Sequence, residues 1–198
     1  MSIHGAKLLI KGFHLDRIEA LTYIDKDMTG REFVQEWIPR DFPPNIDNTY
    51  RLTGRTFEQA CLHTMTADVE TIDSEPIARG HAIGSWIFEN NWDGVRDVIE
   101  SRDRRRAFGT LKYARHHRRM IFSKKGYIGL GPAAARQGDL LCALPGGQAL
   151  YVVREVEGLE SQFEFIGECY VHGLMDGALM KGCGNGWKPY SNEMFQLV

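Results

Sequence analysis

The chain has 198 residues, of which 43% are hydrophobic and 25% charged, and its net charge is −2 at neutral pH. That is the make-up of a single globular domain, residues 1–198, large enough to bury a core. A near-neutral balance gives no bulk attraction to nucleic acid, and no apolar run nears the ~20 residues a membrane helix needs.

The start, Met-Ser-Ile-His-Gly, is interrupted by Lys7 and Lys11 and offers no signal-peptide core. The expected location is therefore cytoplasmic. Cys61, Cys142, Cys169 and Cys183 form no Cys-x-x-Cys pair, so they read as reduced, small hydrophobes.

Residues 6–24 carry Leu8, Ile10, Phe13, Leu15, Ile18 and Leu21, which predict two short strands broken at Lys11-Gly12. Residues 39–53, with Pro39, Pro43, Pro44 and Asn45, predict a loop. The middle, residues 53–116, predicts three or four helices. Thr53 is an N-cap candidate for the first, with Phe57, Ala60, Cys61, Thr64 and Met65 at helical spacing. A second is expected from Pro76 to about Asn90, a third from Trp92 through Ile99, and a fourth over Phe108, Leu111 and Ala114.

From residue 119 to 198 the period becomes two. Met120 and Phe122 lead into a hairpin turn at Ser123-Lys-Lys-Gly126, and Tyr127–Leu130 returns. Strands follow at 140–144 and 150–156, joined by Pro145-Gly-Gly-Gln148. The longest expected strand is Phe163–His172, and Glu193–Val198 is a candidate closing strand. Strands at both ends with helices between predict an α+β fold: a small, mostly antiparallel β-barrel with inserted helices, closed to protect its edges.

Three stretches carry a family resemblance: Lys125-Gly-Tyr-Ile-Gly-Leu-Gly-Pro132, Gly138-Asp-Leu-Leu-Cys142, and Glu168-Cys-Tyr-Val-His-Gly-Leu-Met-Asp-Gly177. They resemble the C-terminal barrel region of fungal heterokaryon-incompatibility (HET) proteins. Leu8-Leu-Ile-Lys-Gly-Phe-His-Leu-Asp-Arg-Ile18 and Tyr50-Arg-Leu-Thr-Gly54 fit the same order of elements. The resemblance implies the barrel as a free-standing chain without the family's N-terminal effector domain. Ala178 stands where the family continues Met-Asp-Gly with glutamate.

Gly129 and Gly131 bracket Leu130 and read as architecture, because no helix follows to make a phosphate cradle. Asp139 reads as a cap of the preceding turn. On the strand 163–172, a period of two places Glu168, Tyr170 and His172 on one face. Phe163, Phe165, Gly167, Cys169 and Val171 share the other. Glutamate, tyrosine and histidine on one face form a candidate acid/base set, with Trp86, Tyr127, Asp176 and Trp187 as pocket candidates. The alternative for His172 and Asp176 is satisfaction of backbone groups at the following turn.

Between residues 102 and 125, ten Arg and Lys side chains face only Asp103, which reads as a solvated face or an anion-binding patch. His116-His117 is a poor metal motif. With no dinucleotide fingerprint, Walker loop or thiol–imidazole spacing, neither a metal nor an organic cofactor is expected.

Two functions remain from this reading. One is binding of a small organic molecule, with cofactor-free cyclisation, dehydration or isomerisation in fungal secondary metabolism as its chemistry. The other is a non-enzymatic self/non-self recognition module that binds a protein partner. A deep apolar pocket separates the first from a filled barrel with an exposed apolar patch. Nucleic acid and membrane are not expected partners, and homo-oligomerisation is left open.

Overall fold

The computed structural model describes residues 7–22, 49–67, 69–72, 75–79, 116–159, 161–175 and 193–198. In chain order the elements are β1 (Leu8–Leu21), α1 (Phe57–Met65), β2 (Val69–Ile72), β3 (Glu75–Arg79), β4 (Arg118–Ser123) and β5 (Ile128–Pro132). They continue with β6 (Leu140–Ala143), β7 (Leu150–Glu155), β8 (Gln162–Val171) and β9 (Glu193–Leu197).

Seven strands form one mixed sheet in the order β4-β5-β8-β7-β6-β1-β9, and further pairings of β4 with β1 and β8 with β9 curl it into a near-ring. β1 makes this possible by its length. Residues 8–12 pair with β9, residues 13–17 with β6, and residues 18–21 with β4. Register irregularities between His14 and Asp16 and between Ile18 and Ala20 bend it from one partner to the next. The two strands predicted for this region are thus one. Gly12 does not break it. The chain crosses there so near Leu144 and Phe195 that a Cβ would sit 2.8 Å from each side chain.

The curled sheet encloses two apolar cores. Leu15, Ile18, Ile121, Leu141, Ala143, Leu150, Val152, Cys169 and Val171 fill the ring made by β1, β4, β5, β8, β7 and β6. Leu140, Cys142, Leu144, Val153 and Phe195 fill the second core, beneath β9. β6 lies between them, and all four of its residues are buried. Leu141 and Ala143 serve the ring while Leu140 and Cys142 serve the second core. That double burial explains its uninterrupted apolar sequence.

β8 serves both cores by a change of parity. Its pairing with β7 shifts so that Val152 opposes Gly167 and Val153 opposes Phe165, leaving Ile166 as an extra residue. Gly167 takes φ +148°, a conformation L side chains rarely adopt. Phe163 therefore packs on Phe195 in the second core, with ring centroids 4.9 Å apart, and Phe165 lies on Tyr151. Cys169 and Val171 point into the ring. This corrects the single apolar face expected for Phe163 through Val171. β1, not β8, is the longest described strand.

α1 covers the outside of β4 and β5. Met120, Phe122, Ile128 and Leu130 have the opposite parity to Ile121 and are fully buried, and Phe57 stacks on Phe122 with centroids 6.1 Å apart. Phe57, Ala60, Cys61, Thr64 and Met65 are the buried residues that the spacing predicted. The N-cap is Thr56 rather than Thr53. Its hydroxyl accepts from the Gln59 N–H, and the Gln59 side chain accepts from the Thr56 N–H, so two orphan donors are satisfied.

α1 is the single helix among the described residues, not one of three or four. The helix expected to begin at Pro76 is replaced there by the β2–β3 hairpin. Val69, Thr71 and Ile72 are β-branched, and Pro76 sits next to a register irregularity, a place where a strand tolerates its missing N–H. The rest of that helix and the third and fourth lie outside the described residues. No described helix is long and apolar enough to cross a membrane.

Candidate functional site

Tyr170 and His172 do come together. The Tyr170 hydroxyl lies 3.0 Å from His172 Nδ1, and both residues are 4% exposed. α1 brings His63 over them, its ring 5.5 Å from that of His172 and nearly parallel. Tyr50, in the loop before α1, donates from its hydroxyl to the His172 carbonyl at 2.8 Å and accepts from the Ile128 N–H at 3.5 Å. Burial pushes the Tyr50 phenol well above its usual range, so it acts as a neutral donor. The cluster ties the loop, α1 and the β5–β8 pair together.

Glu168 does not join it. It has the same parity as Tyr170, but it is exposed, opposite Tyr151 and beyond the cover of α1. Tyr127 is buried among the ring residues. Trp86, Asp176 and Trp187 lie outside the described residues. Sequence reasoning missed Tyr50 and His63. The available signal was His63 beside Thr64 in an otherwise apolar helical stripe.

A second cluster closes the mouth of the ring. Asp139, buried at the start of β6, accepts from the Arg136 N–H at 2.7 Å, the turn cap expected of it. It also holds Arg154 from β7, accepting from Nε at 2.8 Å and from Nη2 at 2.9 Å. The fork geometry is bidentate, and the pairing holds the Arg154 guanidinium firmly protonated. Arg154 Nη2 donates further to the Ala134 carbonyl, and Glu164 stands 3.5 Å from Nη1.

Arg119 of β4 shares the mouth. Its Nε and Nη2 donate to the Thr22 carbonyl at 2.8 and 2.5 Å, and its Nη1 donates to the Ala135 carbonyl at 3.2 Å. Ala135 plugs the ring from residues 133–137 and is 1% exposed. Arg119, Ala133–Arg136, Arg154, Glu164, Phe165 and Ile166 line an open cleft of about 410 Å³.

Of the basic run, Lys125 is also structural: its N–H donates to Asp16 and its Nζ to the Leu15 carbonyl, both at 2.6 Å. His116 and His117 stack edge-on in an exposed turn ahead of β4. Residues 102–115 lie outside the described residues.

Gly129 and Gly131 have the parity that faces the ring interior; a side chain at Gly129 would overlap the Tyr170 carbonyl oxygen, and one at Gly131 would meet Ile121. The phosphate-cradle alternative finds no helix start here, because residues 133–139 are turns.

No solved structure matches the chain. Heterokaryon incompatibility protein 6, OR allele, of Neurospora crassa is 36% identical over 63 residues, which are 31% of this chain and 9% of that protein. The match thus spans under a tenth of the curated relative's length. The family model described as the Het-6 beta-barrel domain matches residues 96–184. That span holds β4 through β8, while β1 and β9, which complete the two cores, lie outside it. Residues 96–184 are similar to the Het-6 beta-barrel domain, and the glycine-rich and His172 motifs that carry the family resemblance lie within that span.

Proposed function

We propose that this chain is a non-catalytic recognition module that binds another protein. The carrying observation is the filled ring. Twelve residues, all at most 9% exposed, occupy its interior, and such packing leaves no room for a substrate inside the ring. Apolar surface is offered outside instead. Leu9 and Met194 share the outer face of β1 and β9, at 62% and 43% exposure, and Val198 follows at 50%. Exposed Lys7 and Lys11 flank this strip. The fitting partner is a protein with an apolar patch and an acidic rim. A recognition role also agrees with the name of the Neurospora relative.

The cyclase, dehydratase or isomerase reading needs Tyr170 and His172 to meet a substrate. They lie buried beneath α1, and Glu168, on the same face, lies beyond that cover.

Expression of the full chain in Neurospora crassa hyphae, with co-purification and growth scored together, tests the proposal. A stoichiometric partner lost in the Leu9→Glu/Met194→Glu variant at unchanged melting temperature is the expected result. Turnover of a small molecule that depends on His172, with no partner dependent on the strip, overturns it.

A further inference from the structure

The parity of the strands makes the mouth of the ring unusual. Arg119 continues the inward face of Ile121, Arg154 that of Leu150 and Val152, and Glu164 that of Ile166. Charged side chains therefore end three inward-facing rows.

Their charges do not balance. Arg154 has Asp139 as a bidentate partner and Glu164 nearby. Among the described residues, Arg119 meets only carbonyl oxygens, those of Thr22 and Ala135. A guanidinium carries five N–H donors, and three hydrogen bonds hold this one in place. Two donors remain on a cation fixed by the fold. Arg136 adds an exposed cation on the same rim. Among the described residues, with Asp139 and Glu164 set against the three arginines, one positive charge is left over.

The cleft's uncharged lining side chains are small or aliphatic: Ala133, Ala134 and Ile166. The Phe165 ring has the opposite parity and lies on Tyr151. About 410 Å³ is the size of a small-molecule site. Burial already disfavours the charged form of Arg119, so a counter-charge would be welcome there.

We infer that the ring mouth binds a small organic monocarboxylate, its carboxylate on Arg119 and its apolar body against Ala133, Ala134 and Ile166. A planar carboxylate matches the remaining donors of a guanidinium. A single excess charge suits a monoanion, and a phosphate dianion would meet Glu164 and Asp139. The site lies apart from the β1–β9 strip, so it stands whether or not that strip binds a protein.

Titration of the ¹⁵N-labelled full chain with cinnamate tests it, with cinnamyl alcohol and inorganic phosphate as controls. Saturable shifts of the Ala135, Ile166 and Arg119 Nε–H resonances are expected with cinnamate alone. Arg119→Gln should weaken binding at least tenfold. Glu164→Gln removes an exposed competing charge and should tighten binding roughly two- to fivefold, the size of one surface charge interaction. Ala134→Asp, at an exposed position of the lining, should weaken it several-fold by repelling the carboxylate. Should Arg119→Gln fail to fold, Glu164→Gln and Ala134→Asp decide alone. Absence of saturation with cinnamate, equal binding of the alcohol, or affinity unchanged in the folded variants overturns the assignment.

Discussion

Gly129 and Gly131 sit two residues apart on β5, and adding one methyl group to each should have different consequences. At Gly129 a Cβ would overlap the backbone carbonyl oxygen of Tyr170 and come within 3.3 Å of both Ile121 Cγ1 and Val171 Cγ2. The carbonyl cannot swing aside, because Leu130 and Tyr170 are register partners in the β5–β8 ladder. Relief requires the two strands to separate. Overpacking of a tight core costs about 1–3 kcal/mol, and a rigid backbone neighbour puts Gly129→Ala at the upper end, about 3 kcal/mol. At Gly131 the nearest atom to a Cβ is Ile121 Cγ2, at 3.0 Å, and Ile121 Cδ1 follows at 3.4 Å. Those methyl groups can shift by a few tenths of an ångström. The loss of unfolded-chain freedom returns about 0.4–1 kcal/mol, so Gly131→Ala should stay within ~1 kcal/mol of the parent. For a domain of this size each kcal/mol moves the melting point roughly 2–4 °C. Thermal and urea unfolding should then show Gly129→Ala about 6–12 °C below the parent and Gly131→Ala within about 4 °C. Gly131→Val adds two further methyls beside Ile121 and should cost roughly 1–3 kcal/mol. Equal melting points for the two alanine variants would refute the claim that β5 is glycine-rich because of the Tyr170 carbonyl.

Tyr50→Phe removes the buried donor to the His172 carbonyl and should cost about 1–2 kcal/mol, read as a urea midpoint shift with unchanged slope. In the native protein at pH 8, Cys61, Cys142 and Cys169 should resist alkylation, because all three are buried and burial pushes the Cys142 thiol up to about 12 and Cys169 higher still. Mass spectrometry that finds any of the three labelled within minutes would contradict this. The Arg17 guanidinium holds the Glu155 carboxyl below its usual value, so the pair stabilises above the ordinary carboxylate pKa and fades as pH falls through the lowered one. Melting curves between pH 6 and 3 should accordingly fall slightly less steeply in Arg17→Ala than in the parent.

The local parts of this fold were legible because their signals are local. Ser123-Lys-Lys-Gly126 turns where Gly126 takes φ +86°, and the apolar spacing of α1 is the spacing it buries. The strands from 118 to 171 fell close to their expected bounds for the same reason. What escaped depends on distant partners. Gly12 reads as a break until Leu144 and Phe195 are seen against it. Ile166 is unremarkable in sequence, yet as the extra residue of the bulge it sends Phe163 and Val171 to different cores. Pro76 looked like a helix start because Pro serves in the first turn of a helix and beside a strand irregularity alike. At the candidate site, Tyr170 and His172 were placed together by period alone. Whether α1 covered that face, or Arg119 reached the ring mouth, is a matter of contacts nearly a hundred residues apart, such as Arg119 with Thr22.

β6 is a partition with a chamber on each side. A single residue gained or lost within it would turn Leu140 and Cys142 toward the ring and Leu141 and Ala143 toward the second core, emptying and overfilling both chambers in one event. β7, with Val152 on one side and Val153 on the other, is bound by the same rule. Length in this stretch is therefore fixed to the residue. The turns at 145–149 and 156–159 contribute no residue to either chamber, so they are where new loops could be added with least disturbance of the frame.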